Sequence, residues 1–393
     1  VIEPATVQCA IAHARYRNRA ALTSPPRGRA DVGEAHMSDD APRKVAIACQ
    51  GGGSHTAFTG GALQHLLSNS DEEYELVGMS GASGGAVCAL TAWSGLHNGG
   101  EREAATRLTS LWKALSANTW FERLQNDALV RGVRMADVGI GLPQVSPYAV
   151  PYTETAVEDL EETLRDHIDF EGLRRSTAED VLTRISAVDV NDGTFKTFSN
   201  EDVSVESLLA SMAVPNLFEA VKLDPTSDPS PSDPRSEGDS PYDGDYHWDG
   251  LFSQNPPVRD FLERPAGIEN KPDEIWIVRI NPQRAPGEPT TLAEIGDRRN
   301  ELAGNLSLNQ ELRFIRQVNE WLDDGTIREG GAFKTVRLRC LELDGAGLDW
   351  SLDPASKLDR SPEFVAALMR RGRDQARDFL ANPDDDAYDC PRT

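Results

Sequence analysis

Ser83 sits in the run Gly81-Ala82-Ser83-Gly84-Gly85, a G-x-S-x-G spacing between an apolar stretch and a helix-capable one. This spacing turns a strand sharply into a helix and leaves the serine hydroxyl clear of the sheet edge. The following helix offers its first amides to developing negative charge. Those are the needs of a nucleophile in acyl transfer. A second small-residue turn, Gly51-Gly52-Gly53-Ser54, also lies between a strand and a helix. Bare glycine amides approach a bound oxygen closely, so these four residues are expected to form an oxyanion hole. The competing reading is a nucleotide-binding loop. Thr56 stands where the third glycine of a dinucleotide fingerprint belongs, and the Gly-Lys-Ser/Thr of a phosphate loop is missing.

A serine hydroxyl needs a base. The chain has seven histidines, and none follows the last strands, where a Ser-His-Asp hydrolase of the α/β class would place one. His13 and His36 fall in an arginine-rich beginning, and His65, His97 and His167 read as surface residues; His55 lies in the glycine turn. A carboxylate is the other candidate. Asp249 precedes Gly250 within "YHWDGLFSQNPPV", an aromatic and apolar setting. An aspartate in water is a weak base; burial raises its basicity. His247 lies two residues earlier and on an extended backbone would share the face of Asp249, so it is the rival base.

These groups need a frame. Apolar runs at 44–50 and 74–80 read as buried strands, each ending at one of the two small-residue turns. Residues 184–199 read as two strands around the turn Asn191-Asp192-Gly193. Further strands are expected at 273–280 and 334–343. Helices are expected near 57–67, 84–94, 102–117, 155–166, 205–212, 292–322 and 361–381. Strands alternating with helices give an α/β fold with a mainly parallel central sheet covered by helices on both faces. Residues 1–36 are expected to be a disordered N-terminal extension and residues 37–393 a single domain. Residues 224–245, rich in Pro, Ser and Asp, are expected to be a flexible loop, either a lid or a tolerated insertion.

Composition excludes some partners. With 64 acidic against 40 basic residues, the net charge is -24. Such a surface repels nucleic acid and anionic lipid headgroups at long range, so membrane contact is expected to be at most transient. The five cysteines (Cys9, Cys49, Cys88, Cys340 and Cys390) are scattered and odd in number. They are therefore read as unpaired, in a reducing cytoplasmic setting. Neither metal nor cofactor is expected.

Taken together, the motifs resemble the patatin-like phospholipases. The resemblance rests on "GGGSHTAFTGGAL" (51–63), "GASGG" (81–85), "SLLASMAVPNLFEAV" (207–221) and "DGLFSQNPPV" (249–258), in that family's order, and spans roughly residues 44–260. It implies a three-layer fold and a serine lipid acyl hydrolase of the phospholipase A or esterase type. Ser83 is then the nucleophile, Asp249 its base, and the amides of residues 51–54 the oxyanion donors. The family usually has Arg or Lys at the position of His55 and Gly at that of Thr56. A neutral imidazole at 55 supplies less positive charge than a fixed cation. A catalytically weak lipid-binding protein or scaffold of the same fold is the alternative within the family.

Overall fold

Alternate side chains along the central strands pack into opposite layers. This is visible in a computed structural model that describes residues 42–69, 74–137, 146–149, 153–176, 181–215, 217–223, 245–262, 270–285, 287–328 and 332–391. The expected extension 1–36 and nearly all of the expected loop 224–245 lie outside the described residues. The chain divides into a unit of residues 1–41 and a unit that begins at Pro42.

Among the described residues eight strands form one sheet: β1 (Arg43–Cys49), β2 (Tyr74–Ala82), β3 (Leu182–Asp189), β4 (Phe195–Ser199), β5 (Val221–Leu223), β6 (Asp245–Asp249), β7 (Glu274–Arg279) and β8 (Arg337–Glu342). The order is β5-β6-β3-β2-β1-β7-β8, with β4 paired to β3. The run β3-β2-β1-β7-β8 is parallel, and β4, β5 and β6 are antiparallel to their partners. On β1, Val45, Ile47 and Cys49 enter one core while Ala46 and Ala48 enter the other. On β7, Trp276 and Val278 face the first core, and Ile275 and Ile277 the second. This period-two division requires apolar cover on both sides.

The first core is closed by α1 (Ala57–Leu66), α2 (Gly84–Leu115) and α8 (Pro362–Ala381), through Phe58, Leu63, Val87, Leu90, Phe364 and Leu368. The second is closed by α7 (Leu292–Asp323), through Leu308, Leu312 and Ile315. The helices between are α3 (Trp120–Asp137), α4 (Thr153–His167), α5 (Phe170–Arg175) and α6 (Val205–Met212). The helices expected at 84–94 and 102–117 are one run, interrupted where Gly100 takes φ 75°. The three-layer α/β architecture is thus as expected; α3, α5, β5 and β6 were not anticipated. None of the helices among the described residues is long and apolar enough to cross a membrane.

The cysteine reading needs correction. Cys340 of β8 is disulfide-bonded to Cys390, while Cys49 and Cys88 are free and buried. The backbone prepares this pairing: Asp389 bridges Arg339, and the Cys390 amide donates to the Leu338 carbonyl. Fifty residues of separation hid the pair in the sequence, because α8 intervenes and the return to the edge of β8 is a tertiary event. In the chain-entropy account, closing a loop of that length stabilises the fold by about 4 kcal/mol. Denaturant unfolding of the Cys340→Ser/Cys390→Ser variant should show a midpoint well below that of the oxidised protein. An unchanged midpoint would mean that the bond contributes nothing.

Candidate functional site

Parallel strands end on the same side of a sheet, and ligands of open α/β sheets bind beyond those carboxyl ends. Here β1 ends at Cys49, β2 at Ala82 and β7 at Arg279. The residues that follow them, Gln50 to Gly53, Ser83 and Asn281, gather at one place.

Ser83 has φ 53° and ψ −132°, and among the described residues it is the one non-glycine with positive φ. That conformation costs a β-carbon-bearing residue about 1–3 kcal/mol. It persists because its neighbours hold it. The Ser83 amide donates to Ser211 Oγ at 3.0 Å, and the Ser83 carbonyl accepts the Val87 amide at 3.1 Å to start α2. Glycine is required on both flanks. A β-carbon on Gly81 would come within 2.4 Å of the Ala86 nitrogen, and one on Gly85 within 2.2 Å of the Cys49 carbonyl oxygen.

Strand β3 brings Asp249 to the same place. Ala82 pairs with Ser186, and the next residue, Ala187, pairs with Asp249. Because Ala187 also pairs with Lys196 of β4, β6 occupies the edge of β3 that β2 has just vacated. The residue after β2 and the last residue of β6 therefore meet, although 166 positions separate them. Asp249 is fully buried. Its amide donates to the Ala213 carbonyl at 3.0 Å, and its Oδ1 accepts the Leu251 amide at 2.7 Å. Oδ2 has no partner of normal hydrogen-bond geometry among the described residues. Burial pushes the carboxyl up to about 7, opposed by the Leu251 amide and by the nearby Ser83 hydroxyl. The hydroxyl is thus near enough to favour the carboxylate while Oδ2 stays open.

The glycine turn is clamped by side chains. The Gly51 amide donates to Asn255 Oδ1 at 2.7 Å, and the Gly51 carbonyl accepts Asn281 Nδ2 at 2.9 Å. Gln50 Oε1 accepts the amides of Ile280 and Asn281, and its Nε2 donates to Asn305. The Gly51 amide is therefore spent, in contrast to its expected role as a donor. Ser54 is buried and does not line the cleft. Gly52 and Gly53 do line it, and their amides make no hydrogen bond among the described residues.

The cleft has a volume of about 280 Å³ and is walled by Gly51, Gly52, Gly53, Ser83 and Asp249, with Val214, Leu217 and Leu251 among its apolar residues. His55 stands behind the turn, 3% exposed, with Nε2 2.8 Å from Ser356 Oγ. Burial, helped by the charge of Lys357, lowers its pKa to about 3, so the ring is neutral. The cation comes from a distant part of the chain. Lys357 lines the cleft, and its Nζ pairs with Asp297 at 2.7 Å and Glu301 at 3.0 Å. His247 is buried on β6 with Nδ1 3.0 Å from the Asp245 carbonyl, and it is not among the cleft residues.

Gln50, Ser211, Asn281 and Lys357 escaped the sequence reading. For Gln50 and Asn281 a signal existed: each is a polar residue closing an apolar strand run, "IACQ" and "WIVRIN". Lys357 had none, since its role depends on chain folding back from beyond β8. The strain at Ser83 yields a prediction. Ser83→Gly should raise stability by about 1 kcal/mol, because glycine adopts positive φ without clash, whereas Ser83→Ala should not. Denaturant midpoints of the two variants test this; equal midpoints would contradict it.

Comparison with known proteins places this site within a family. The model of the patatin-like phospholipases matches residues 47–262, more than half of the chain. No curated protein matches. Among solved structures, VipD from Legionella pneumophila is similar at 13% identity over 87% of this chain and 67% of that one, with a TM-score of 0.35. The ExoU–SpcU complex from the type III secretion system of Pseudomonas aeruginosa is similar at 13% identity and a TM-score of 0.33. It covers 87% of this chain, which spans about half the length of that partner, 52%. Likenesses this distant add nothing to the reading of the site. The family match spans both small-residue turns and Asp249: this chain belongs to the patatin-like phospholipase family.

Proposed function

We propose that the protein is a serine lipid acyl hydrolase that cleaves carboxylic esters through an acyl-serine intermediate, with Ser83 as nucleophile and Asp249 as its base. The observation that carries the reading is the buried, unpartnered Oδ2 of Asp249 beside the strained Ser83. The carboxylate has the Leu251 amide on Oδ1 alone, and the Ser83 hydroxyl is near enough to influence it.

The steps follow from these positions. With Asp249 ionised, Oδ2 takes the Ser83 proton as Oγ attacks the ester carbonyl. The carbonyl oxygen becomes an anion, and the free amides of Gly52 and Gly53 donate to it. The tetrahedral species collapses, the alcohol leaves with the proton returned by Asp249, and the acyl group stays on Ser83. Asp249 then deprotonates a water that attacks the acyl-serine carbonyl, the acyl–Oγ bond breaks as Asp249 returns that proton to Ser83 Oγ, and the carboxylic acid departs. Asn255 and Asn281 keep the donor turn in register by holding the Gly51 amide and the Gly51 carbonyl, one in each of the two peptide groups that flank its α-carbon. Residue 55 is neutral, and the Lys357 ammonium at the cleft wall is matched by the carboxylates of Asp297 and Glu301.

Three tests follow. On a panel of p-nitrophenyl and glycerolipid esters, Ser83→Ala and Asp249→Asn should each lower kcat by at least about 10³-fold; retained turnover in either would refute the assignment. The rate should climb about tenfold per pH unit up to about 7 and level off above it, since the base must be ionised. Stability should move the other way. The folded value of Asp249 lies above the ordinary aspartate range near 4, so its contribution is present below pH 4 and is lost as pH rises through about 7. Asp249→Asn should therefore melt above the parent at pH 8 and close to it at pH 4; the reverse order would contradict the burial argument. Finally, Asn281→Ala should lower kcat about tenfold or more with KM little changed, since it orients the donors without touching the ester. A pure KM effect would place Asn281 in substrate binding instead.

A further inference from the structure

Helix α7 gives the cleft a wall with its own chemistry. Leu292, Ala293, Gly296, Asp297, Asn300 and Glu301 all line it, at spacings that bring them onto one helix face. The wall is apolar at the helix start and polar from Asp297 onward. Other elements supply apolar lining: Val133 comes from α3, Val214 and Leu217 from the chain after α6, and Leu251 from the chain after β6. A carboxylic ester has two ends to accommodate, an acyl chain and an alcohol, and the acyl chain has no use for polar groups.

Three observations describe what the α7 wall can hold. The Asn300 side-chain oxygen Oδ1 is buried and has no hydrogen-bond partner among the described residues. An unpaired buried acceptor is costly, so it calls for a donor. One turn earlier, a β-carbon on Gly296 would meet nothing within 4 Å. Glycine weakens a helix interior, and no neighbour's approach requires it here, so its effect is to leave space beside Asn300. Finally, the charges of the wall are matched among themselves. Lys357 is the one cation among the lining residues, and its ammonium is paired with Asp297 and Glu301. Glu301 is paired in addition with Arg298.

We propose that this α7 wall is the alcohol subsite of the cleft, and that it takes a neutral alcohol with free hydroxyls, a polyol of the glycerol type, with one hydroxyl over Gly296 donating to Asn300 Oδ1. The assignment deepens the hydrolase reading and rests on it. Charge and hydrogen bonding select the alcohol. A phosphate oxygen only accepts, so it cannot satisfy Oδ1, and it would meet the carboxylates of Asp249, Asp297 and Glu301 with no unmatched cation in the lining. An ammonium group would find those of Asp297 and Glu301 already engaged by Lys357. A hydroxyl donates without bringing charge.

The test compares esters of one acyl group on the full chain: glycerol monobutyrate, propyl butyrate and butyryl glycerophosphate. The kcat/KM for glycerol monobutyrate should exceed that for each of the other two at least about tenfold. Asn300→Leu should cut its ratio to propyl butyrate at least about fivefold, and this variant should melt no lower than the parent, because it removes an unpaired polar group. Gly296→Leu fills the space with a good helix former; it should lower kcat/KM for glycerol monobutyrate at least about fivefold more than for methyl butyrate, whose alcohol is small. A parent that does not distinguish glycerol monobutyrate from propyl butyrate would overturn the proposal, as would discrimination left intact by both variants. Equal or faster turnover of butyryl glycerophosphate would assign the wall to a phosphate-bearing alcohol and also overturn it. If the parent turns over no ester, the hydrolase reading fails and the subsite is judged separately, by calorimetric titration of Ser83→Ala with the intact esters. Glycerol monobutyrate should then bind at least about tenfold more tightly than propyl butyrate; equal or undetectable binding would overturn the subsite as well.

Discussion

The serine at the end of β2 is held in a backbone conformation that its side chain opposes, and much of the architecture serves to keep it there. The holding forces are specific: the Ser211 hydroxyl on its amide, the first turn of α2 on its carbonyl, and backbone passing so close to Gly81 and Gly85 that no side chain fits. Each depends on the parallel sheet. Only if β1 and β2 end together does the Cys49 carbonyl crowd Gly85, and only if α6 crosses beneath the elbow does Ser211 reach Ser83. The strain is thus distributed over three elements.

Asp249 illustrates the same logic in electrostatic terms. A carboxyl buried without a cation would ordinarily be a liability, since desolvation penalises the charged form. Here β6 delivers it beside β3, one hydrogen bond steadies Oδ1, and the other oxygen is left open toward the serine. The resulting pKa near 7 would suit the proposed role of a group that accepts and returns a proton. His55 in the glycine turn is neutral, and the nearby Lys357, from the chain beyond β8, is paired with two carboxylates of α7, which leaves the backbone amides as the donors of the turn.

Much of this was legible in the residues. The β1 and β2 runs, the two small-residue turns, the hairpin around Gly193 and the long C-terminal helices all carry local signals of period, turn chemistry or length, and the structure has each of them. Helix α3 escaped because its pattern is inverted: a polar Asn126 faces inward to Asp359 while Phe121 and Leu124 face out, so apolar periodicity pointed nowhere useful. Strands β5 and β6 are short and antiparallel, and only their pairing defines them. The expected donor role of Gly51 gave way to Asn255, a long-range bond that loop composition does not announce. The Cys340–Cys390 bond was missed for the same reason.

The claim on which the account turns is that a hydroxyl, an open carboxylate oxygen and two unspent amides converge on one reacting carbonyl. A crystal structure of the protein after reaction with a fluorophosphonate tests it most directly. The account predicts a single adduct on Ser83 Oγ, its phosphonyl oxygen within hydrogen-bond distance of the Gly52 and Gly53 amides, with Gly51 still bound to Asn255. An adduct on another residue, or a phosphonyl oxygen turned away from the glycine turn, would contradict it.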